Sequence, residues 1–260
     1  EEEVPFGTNL LLRCKSMPDL VVAAEICEAL WVPNPPSIDH ALAGATVIVN
    51  LSASNALVGK AAYRRQLMVG QSARLLCGYV YTSAGWGEST TDVVFASHNM
   101  IAESGLLLAE SAPFGPGNTM TELDVSAIKQ ERMRVSTFRT PLGAVGGAPS
   151  YLEVPFDLGR SKTQLTRFVD PHPFVPADGA ERDARCEDVF TIQAWGLAKR
   201  LDHTHSSCAV IGVSGGLDST LALLVTVRAF DLLGLDRQGI IAVTMPGFGT
   251  TERTHGNATT

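Results

Sequence analysis

The chain of 260 residues is 45% hydrophobic and 18% charged with a net charge of −7, enough apolar content for a sizeable core and the wrong sign for gripping a nucleic-acid backbone. No apolar run approaches the roughly 18 to 20 residues that a membrane span needs, and the opening Glu1-Glu2-Glu3 is the opposite of a signal peptide's basic start. Five cysteines without a CxxC pair give neither a disulfide framework nor a zinc-ligand spacing, so the expectation is a cytoplasmic metabolic protein with no membrane or nucleic-acid partner, in which one cysteine is free to act as a nucleophile.

In chain order, residues 4–19 predict an edge strand and a turn closed by Pro18-Asp19. Leu20 to Cys27 predicts an apolar strand that ends in Glu28 and the broken run Trp31-Val32-Pro33-Asn34-Pro35-Pro36. A cysteine at a strand's exit is held by the strand while its tip stays accessible, a common placement for reactive groups in α/β proteins. The competing reading of Cys27 is a small buried hydrophobe. Ser37 to Leu42 predicts a short helix capped by Ser37, Ala45 to Leu51 a buried strand, and Ser52-Ala53-Ser54-Asn55 a polar loop, so that two strands exit side by side. Lys60 to Leu76 predicts an amphipathic helix with Arg64, Arg65 and Arg74 as anchors. Gly78 to Ala84 and Asp92 to Ser97 predict strands joined by the loop Gly85-Trp86-Gly87-Glu88-Ser89, and Asn99 to Ala112 predicts a hairpin turned at Ser104-Gly105.

A thiol is mostly protonated near neutrality and needs a base or cation beside it to become an efficient nucleophile. Glu25 stands two residues before Cys27 on the strand, but a lone carboxylate disfavours a neighbouring thiolate. His40 and His98 have no partner that makes a Cys-His dyad and read as surface or structural histidines.

Glu25-Ile26-Cys27-Glu28, the strand ending Asn50-Leu51-Ser52-Ala53-Ser54-Asn55, the helix with Gly59-Lys60 and Tyr63-Arg64-Arg65, Gln71-Ser72-Ala73-Arg74, the Gly87-Glu88-Ser89 loop and Asp92-Val93-Val94-Phe95 with His98 together resemble the C-terminal part of a nitrilase-type glutamine amidohydrolase domain. The resemblance implies an αββα sandwich and a Glu-Lys-Cys triad. It makes Cys27 the nucleophile and borders the glutamine pocket with Glu28, Trp31 and Ser54. The triad's base Glu and oxyanion-stabilising Lys belong further upstream than this chain reaches, so a segment of a longer chain is expected. Ala29 departs from the aspartate common in that family.

Asp124 to Arg134 predicts a helix with charged faces, after which periodicity disappears. Residues 136–180 carry Pro141, Gly143, Gly146, Gly147, Pro149, Pro155, Pro171, Pro173 and Pro176 and read as a long connecting segment with room for some strand. Arg182 to Leu201 resumes helical spacing. Cys208 to Val213 then predicts a buried parallel strand, Ser214-Gly215-Gly216 a tight turn, and the chain from Asp218 a helix with Leu221, Leu224, Val225, Val227 and Leu232 at helical spacing. Such a junction is an anion site: glycines turn N–H groups inward, the helix start favours phosphate oxygens, and Ser214, Ser219 and Thr220 carry hydroxyl donors. No lysine follows the glycines, so this is not the GxxxxGK[ST] loop, and Asp218 stands where a carboxylate could hold Mg²⁺ between phosphates. The alternative is a glycine turn capped by Ser and Asp. Gln238 to Met245 predicts a second parallel strand, whose exit loop Pro246-Gly247-Phe248-Gly249-Thr250-Thr251 is expected beside Ser214 to Ser219, with another helix beginning at Thr260.

Ser214-Gly215-Gly216-Leu217-Asp218-Ser219 resembles the pyrophosphate loop of the ATP pyrophosphatases. A glutaminase-like half before that loop, with Met245-Pro246-Gly247-Phe248-Gly249-Thr250 after it, resembles the family of glutamine-dependent NAD synthetases. The resemblance implies an α/β chain in three parts: residues 1–135 as the C-terminal part of a nitrilase-like domain, 136–180 as a linker, and 181–260 as the first part of a doubly wound, Rossmann-like ATP pyrophosphatase domain. It also implies ATP-dependent amidation of nicotinic acid adenine dinucleotide through an adenylate, with ammonia drawn from glutamine. ATP and pyrophosphate would be held by Ser214, Gly215, Gly216, Leu217, Asp218, Ser219 and Thr220, with Met245 bordering the adenine and Asp218 taking Mg²⁺. A homo-oligomeric full-length enzyme is expected, and the segment alone is expected to be inactive. The alternatives are another pyrophosphate-loop amidotransferase or adenylating enzyme, or a non-catalytic nucleotide-binding fragment.

Overall fold

The computed structural model describes residues 3–88, 92–139, 150–245, 247 and 256–258. The chain divides into two compact units, Glu1–Phe168 and Val169–Thr260.

In the first unit β1 (Leu10–Cys14), β2 (Val21–Ile26), β3 (Val47–Ser52), β4 (Gly78–Ser83), β5 (Met100–Glu103), β6 (Leu106–Glu110) and β7 (Leu152–Phe156) form a seven-stranded sheet ordered β6-β5-β4-β3-β2-β1-β7. β2, β3 and β4 run parallel, as do β1 and β7, while the other neighbouring pairs are antiparallel. Parallel neighbours need a crossover, and α1 (Ser37–Leu42) and α2 (Lys60–Leu75) supply it. Period-two alternation then sorts the side chains. Ala23, Ile48, Tyr79 and Ala102 form one buried cross-strand row, and Glu25, Asn50, Tyr81 and Met100 form the next. Leu30, Ala41, Met68 and Leu75 complete this core. The opposite face of the sheet shows Ile26 and Leu51, 70% and 52% exposed.

Three expectations change here. β1 is not an edge strand, because β7, drawn from the Pro-rich connecting segment, pairs with it from Leu10↔Leu152 to Cys14↔Phe156. Asp92 to Ser97 does not form a strand: it makes a single bridge, Asn55↔Phe95, since β5 has taken the place beside β4. Ser37 does not cap α1. It is the first residue of the helix; its N–H donates to Glu25 Oε2 at 2.9 Å and its hydroxyl accepts from Gln71 Nε2 at 2.9 Å.

α3 (Val125–Arg134) starts on Asp124, whose carboxylate accepts the Ala127 N–H at 2.9 Å. Its Arg132 donates to the carbonyls of Leu76 at 2.8 Å and Leu75 at 3.0 Å, satisfying orphan acceptors at the end of α2, while the guanidinium stacks 4.7 Å from the Phe138 ring.

His40, buried on α1, places Nδ1 2.7 Å from the Tyr151 hydroxyl and Nε2 3.1 Å from the Ala24 carbonyl, contacts that a neutral ring protonated at Nε2 satisfies. Burial holds its pKa below the ordinary histidine value. Below that ordinary value, about 6.5, the unfolded chain binds a proton that the folded chain does not, so stability is complete above it and falls as pH drops. The melting temperature is therefore expected to fall between pH 7 and pH 5, with His40 contributing at most about 1.4 kcal/mol per pH unit. His40→Gln should flatten the profile; an unchanged slope would assign the loss to another group.

The second unit contains α4 (Gly179–Thr204), β8 (Ala209–Gly212), α5 (Leu217–Leu233) and β9 (Ile240–Val243). β8 and β9 pair in parallel from Ala209↔Ile240 to Gly212↔Val243, with α5 as the crossover. α4 packs on α5 through Ala198, Leu201, Ala229 and Phe230. The buried face of α5 is Val225, Thr226, Ala229 and Phe230, whereas the expected apolar residues Leu221 and Leu224 are exposed. β8 is half-exposed rather than buried, since Val210 and Ile241 lie 69% and 48% exposed on this two-stranded sheet. Beyond Met245 the expected exit loop lies outside the described residues except for Gly247, as do Ser89 and the Thr260 helix start. No helix among the described residues is long and apolar enough to cross a membrane.

Candidate active site

The first candidate centre lies where β2 and β3 exit. Their parallel register ends at Ile26↔Leu51, so Cys27 comes next, beside Ser52. Cys27 opens a 3-10 turn, Cys27–Leu30, with a φ of 52°, the left-handed region that costs a non-glycine residue about 1–2 kcal/mol. This turn swings a half-buried thiol out of the strand. Ser52 Oγ donates to Cys27 Sγ at 3.5 Å, the Tyr81 hydroxyl donates to Ser52 Oγ at 2.6 Å, and Asn50 Nδ2 holds the Cys27 carbonyl at 3.3 Å.

Glu25 is not a partner of the thiol. It is buried with Oε1 accepting from Tyr79 and Oε2 from the Ser37 N–H. Burial, then the Glu25 charge, push the Tyr79 phenol far up, which keeps it a neutral donor. His98 is likewise committed: Arg64 donates to its Nδ1 at 3.2 Å and its Nε2 donates to Glu110 at 2.6 Å. Burial works against the Glu110 charge, but hydrogen bonds from Arg65 and His98 outweigh it and hold that carboxyl below its ordinary value.

The other residues expected around the thiol are distributed as follows. Glu28 is exposed on the same 3-10 turn, and Trp31 closes it, its N–H donating to the Glu28 carbonyl at 2.8 Å. The Trp31 ring lies 5.3 Å from Tyr63 and 5.5 Å from Lys60 Nζ, and its Nε1 is buried with no hydrogen-bond partner among the described residues. Ser54 is buried on the loop after β3 and accepts from Arg64 Nη2 at 3.4 Å. Arg64, itself buried, stands 5.5 Å from the Tyr81 ring centroid, so Ser54 connects through Arg64 to the group that holds Ser52. Sequence reasoning missed Asn50, Ser52 and Tyr81. The alternation of Ile48, Asn50 and Ser52 on one face was the signal that could have found them.

The second centre is the β8–α5 junction. Val213 N–H donates to Val243 O at 2.8 Å, which holds the loop's first residue against β9. Gly215 has a φ of 80°, a conformation that suits glycine. Gly216 is the N-cap of α5 without a side-chain cap hydrogen bond, whereas Asp124 and Asp178 supply one to α3 and α4. Among the described residues the first-turn N–H groups of α5 are thus left without a side-chain acceptor, the arrangement that receives an anion. The hydroxyls shape the loop: Ser219 Oγ donates to Gly216 O at 3.0 Å and accepts the Ser214 N–H at 3.2 Å, Ser214 Oγ lies 3.1 Å from Ser219 Oγ, and Thr220 donates to Gly216 O at 2.9 Å. Leu217 and Asp218 are exposed in the first turn. Asp218 makes no hydrogen bond or ion pair among the described residues, so it is not the cap. Met245, 80% exposed, follows β9 on the strand that flanks the loop.

The family model for NAD synthase matches residues 191–260. A glutamine-dependent NAD(+) synthetase of Mycobacterium tuberculosis strain H37Rv is 42% identical over 98% of this chain and 38% of its own length. That of Mycobacterium leprae is 44% identical over the same shares, and a human one is 29% identical over 84% of this chain and 30% of its own length. Among solved structures, a glutamine-dependent NAD+ synthetase of Acinetobacter baumannii in complex with ADP covers 92% of this chain and 36% of its own at 17% identity and a TM-score of 0.38, too loose a match to bear on the fold. The chain thus spans about two fifths of the length of the mycobacterial relatives, 38%. Across nearly its whole length, at 42–44% identity, the chain is similar to glutamine-dependent NAD(+) synthetases.

Proposed function

We propose that the chain is a segment of a glutamine-hydrolysing NAD(+) synthase that amidates nicotinic acid adenine dinucleotide at the expense of ATP. The observation that carries the reading is its 42–44% identity to glutamine-dependent NAD(+) synthetases over a stretch that includes both the strand-exit cysteine and the uncapped SGGLDS helix start. Residues 1–135 are assigned to the C-terminal part of a nitrilase-like glutaminase domain, 136–180 to a linker and 181–260 to the first part of a doubly wound ATP pyrophosphatase domain. The exposed apolar residues Ile26 and Leu51 on one sheet face support a further layer packing there in a sandwich.

In this reading Cys27 Sγ attacks the side-chain carbonyl of glutamine, the C–N bond breaks and ammonia leaves. Water then releases glutamate from the thioester. Glu28, Trp31 and Ser54 border the glutamine. At the second centre the substrate carboxylate attacks the α-phosphorus of ATP and pyrophosphate departs. Ammonia then displaces AMP from the adenylate. Gly215 and Leu217 offer backbone N–H groups, Gly216 lets the backbone approach the phosphates while its own N–H donates to Ser214 Oγ at 3.4 Å, Ser214, Ser219 and Thr220 keep the loop open around them, and Met245 borders the adenine.

Asp218 fits a hard cation: it is an oxygen donor, exposed and without a hydrogen bond or ion pair among the described residues, in the first turn of α5. No group of three His, Cys, Asp or Glu side chains converges among the described residues, so an ion here would take Asp218 together with substrate oxygens, the usual mode for Mg²⁺. Mg²⁺ would neutralise charge on the phosphates. The full-length protein, proposed to be a cytoplasmic homo-oligomer, is expected to form NAD with glutamate, AMP and pyrophosphate in equal amounts when given glutamine, ATP, MgCl₂ and nicotinic acid adenine dinucleotide. Chromatography of the products checks this; ATP cleavage without NAD would point instead to another adenylating member of the pyrophosphate-loop group.

A further inference from the structure

We infer that Ser52 and Tyr81 are positioning residues for the Cys27 thiol, a two-hydroxyl relay that aims the sulfur and stabilises charge developing on it. The inference rests on the reading of Cys27 as the glutaminase nucleophile. Register creates the relay. In-register parallel pairing of β2 and β3 brings Ser52 beside Cys27, and the period of two puts Ser52 on the same buried face as Asn50, whose cross-strand partner is Tyr81.

Hydrogen-bond direction follows from the inventory of donors. Tyr81 is 1% exposed, and burial pushes its phenol above the ordinary value, so it remains a donor and gives its proton to Ser52 Oγ at 2.6 Å. The Ser52 proton is then left for Cys27 Sγ at 3.5 Å. A hydroxyl that already accepts a hydrogen bond donates a stronger one. The relay is braced at both ends: the Arg64 guanidinium sits 5.5 Å from the Tyr81 ring centroid, and Asn50 Nδ2 holds the carbonyl of the strained Cys27 residue at 3.3 Å. A donor to sulfur lowers its intrinsic nucleophilicity somewhat while stabilising the charged form more, and the net effect is faster attack.

The test uses the full-length protein with Ser52→Ala, Ser52→Thr, Tyr81→Phe and the double variant Ser52→Ala/Tyr81→Phe. Ser52→Ala is expected to lower kcat for glutamine hydrolysis about tenfold with KM within about twofold of the parent, since the lost bond acts on the reacting sulfur rather than on substrate binding. Alkylation of Cys27 by iodoacetamide should slow in proportion, read by peptide mass spectrometry against the exposed Cys186 and Cys208 in the same sample. Ser52→Thr should restore most of the rate, Tyr81→Phe should give a smaller loss of the same kind, and the double variant should fall no further than Ser52→Ala. Ammonia-driven synthesis should not change. Equal alkylation in Ser52→Ala and parent, no rescue by threonine, or strictly additive losses would each overturn the relay. If the parent alkylates in the expected pattern yet hydrolyses no glutamine, the relay stands and the glutaminase reading falls.

Discussion

Replacing Cys27 with alanine in the full-length protein is expected to lower glutamine-driven NAD formation by at least about a thousandfold while ammonia-driven formation keeps the parental rate. Alanine supplies no nucleophile, and the other cysteines of the first unit do not replace it: Cys14 and Cys77 are buried elsewhere in the sheet, and burial pushes the Cys77 thiol up to about 12. Folding should be nearly unaffected. Alanine bears the same left-handed backbone as cysteine, Asn50 still holds the residue 27 carbonyl, and the lost sulfur leaves a half-open site rather than a sealed cavity. The measurement is NAD formed with glutamine or ammonium chloride as nitrogen donor, beside a thermal melt. Parental turnover with glutamine would make Cys27 structural. Loss with both donors and an intact melt would break the proposed division between the two centres.

What was legible in the chain divides along local and non-local lines. The β8–loop–α5 junction was readable because its signals are contiguous: a short branched run, two glycines, then helical spacing, each element reinforcing the next. The exit of β2 at Cys27 was readable for the same reason, since the polar and proline-rich run after it forbids continuation. β7 was not, because a strand of five residues inside a Pro-rich segment becomes a strand only by pairing with β1, some 140 positions away. Asp92 to Ser97 failed in the opposite sense: its apolar residues have strand propensity, but the hairpin partner β5 outcompetes them for the edge of β4. Local pattern cannot rank two claimants for one edge. On α5 the stretch is apolar nearly all round, so helical periodicity marked a helix without marking its buried side, and packing on α4 selected Ala229 and Phe230.

The thiol's surroundings show the same divide at the level of single side chains. Cys27, Glu28 and Trp31 belong to one turn and stand close together in the sequence. Ser52 reaches the sulfur from β3 and Tyr81 reaches Ser52 from β4, and the sequence presented Ser52 as the start of a polar loop. It is instead the last residue of β3, its hydroxyl turned into the core because the strand alternation extends one residue beyond Leu51. His40 and His98 read as surface or structural histidines; both are buried, and each has both ring nitrogens engaged within the first unit.

Asp218→Asn separates the proposed metal role from a generic helix start. The structure already removes one explanation, because Gly216 is the N-cap of α5 and Asp218 makes no hydrogen bond among the described residues, so its carboxylate is not satisfying the helix. The remaining structural contribution is the attraction between a carboxylate and the positive end of the helix, worth about 0.3–1 kcal/mol and screened at an exposed site. A melt of the variant should therefore stay close to the parental one. If the carboxylate holds Mg²⁺ against the phosphates, exchanging it for a neutral amide takes away a charged oxygen ligand from a hard cation, and ATP cleavage should fall by about a hundredfold or more, with a raised magnesium requirement. Pyrophosphate release by the full-length protein, with ammonia supplied so that Cys27 plays no part, is the direct measurement across a magnesium titration. Serine or glycine changes in the loop confound shape with binding, since Ser214 and Ser219 bond to each other and Ser219 and Thr220 to Gly216. Asp218 has no such bond to lose, so parental ATP cleavage with a parental melt would leave its carboxylate no part in holding metal.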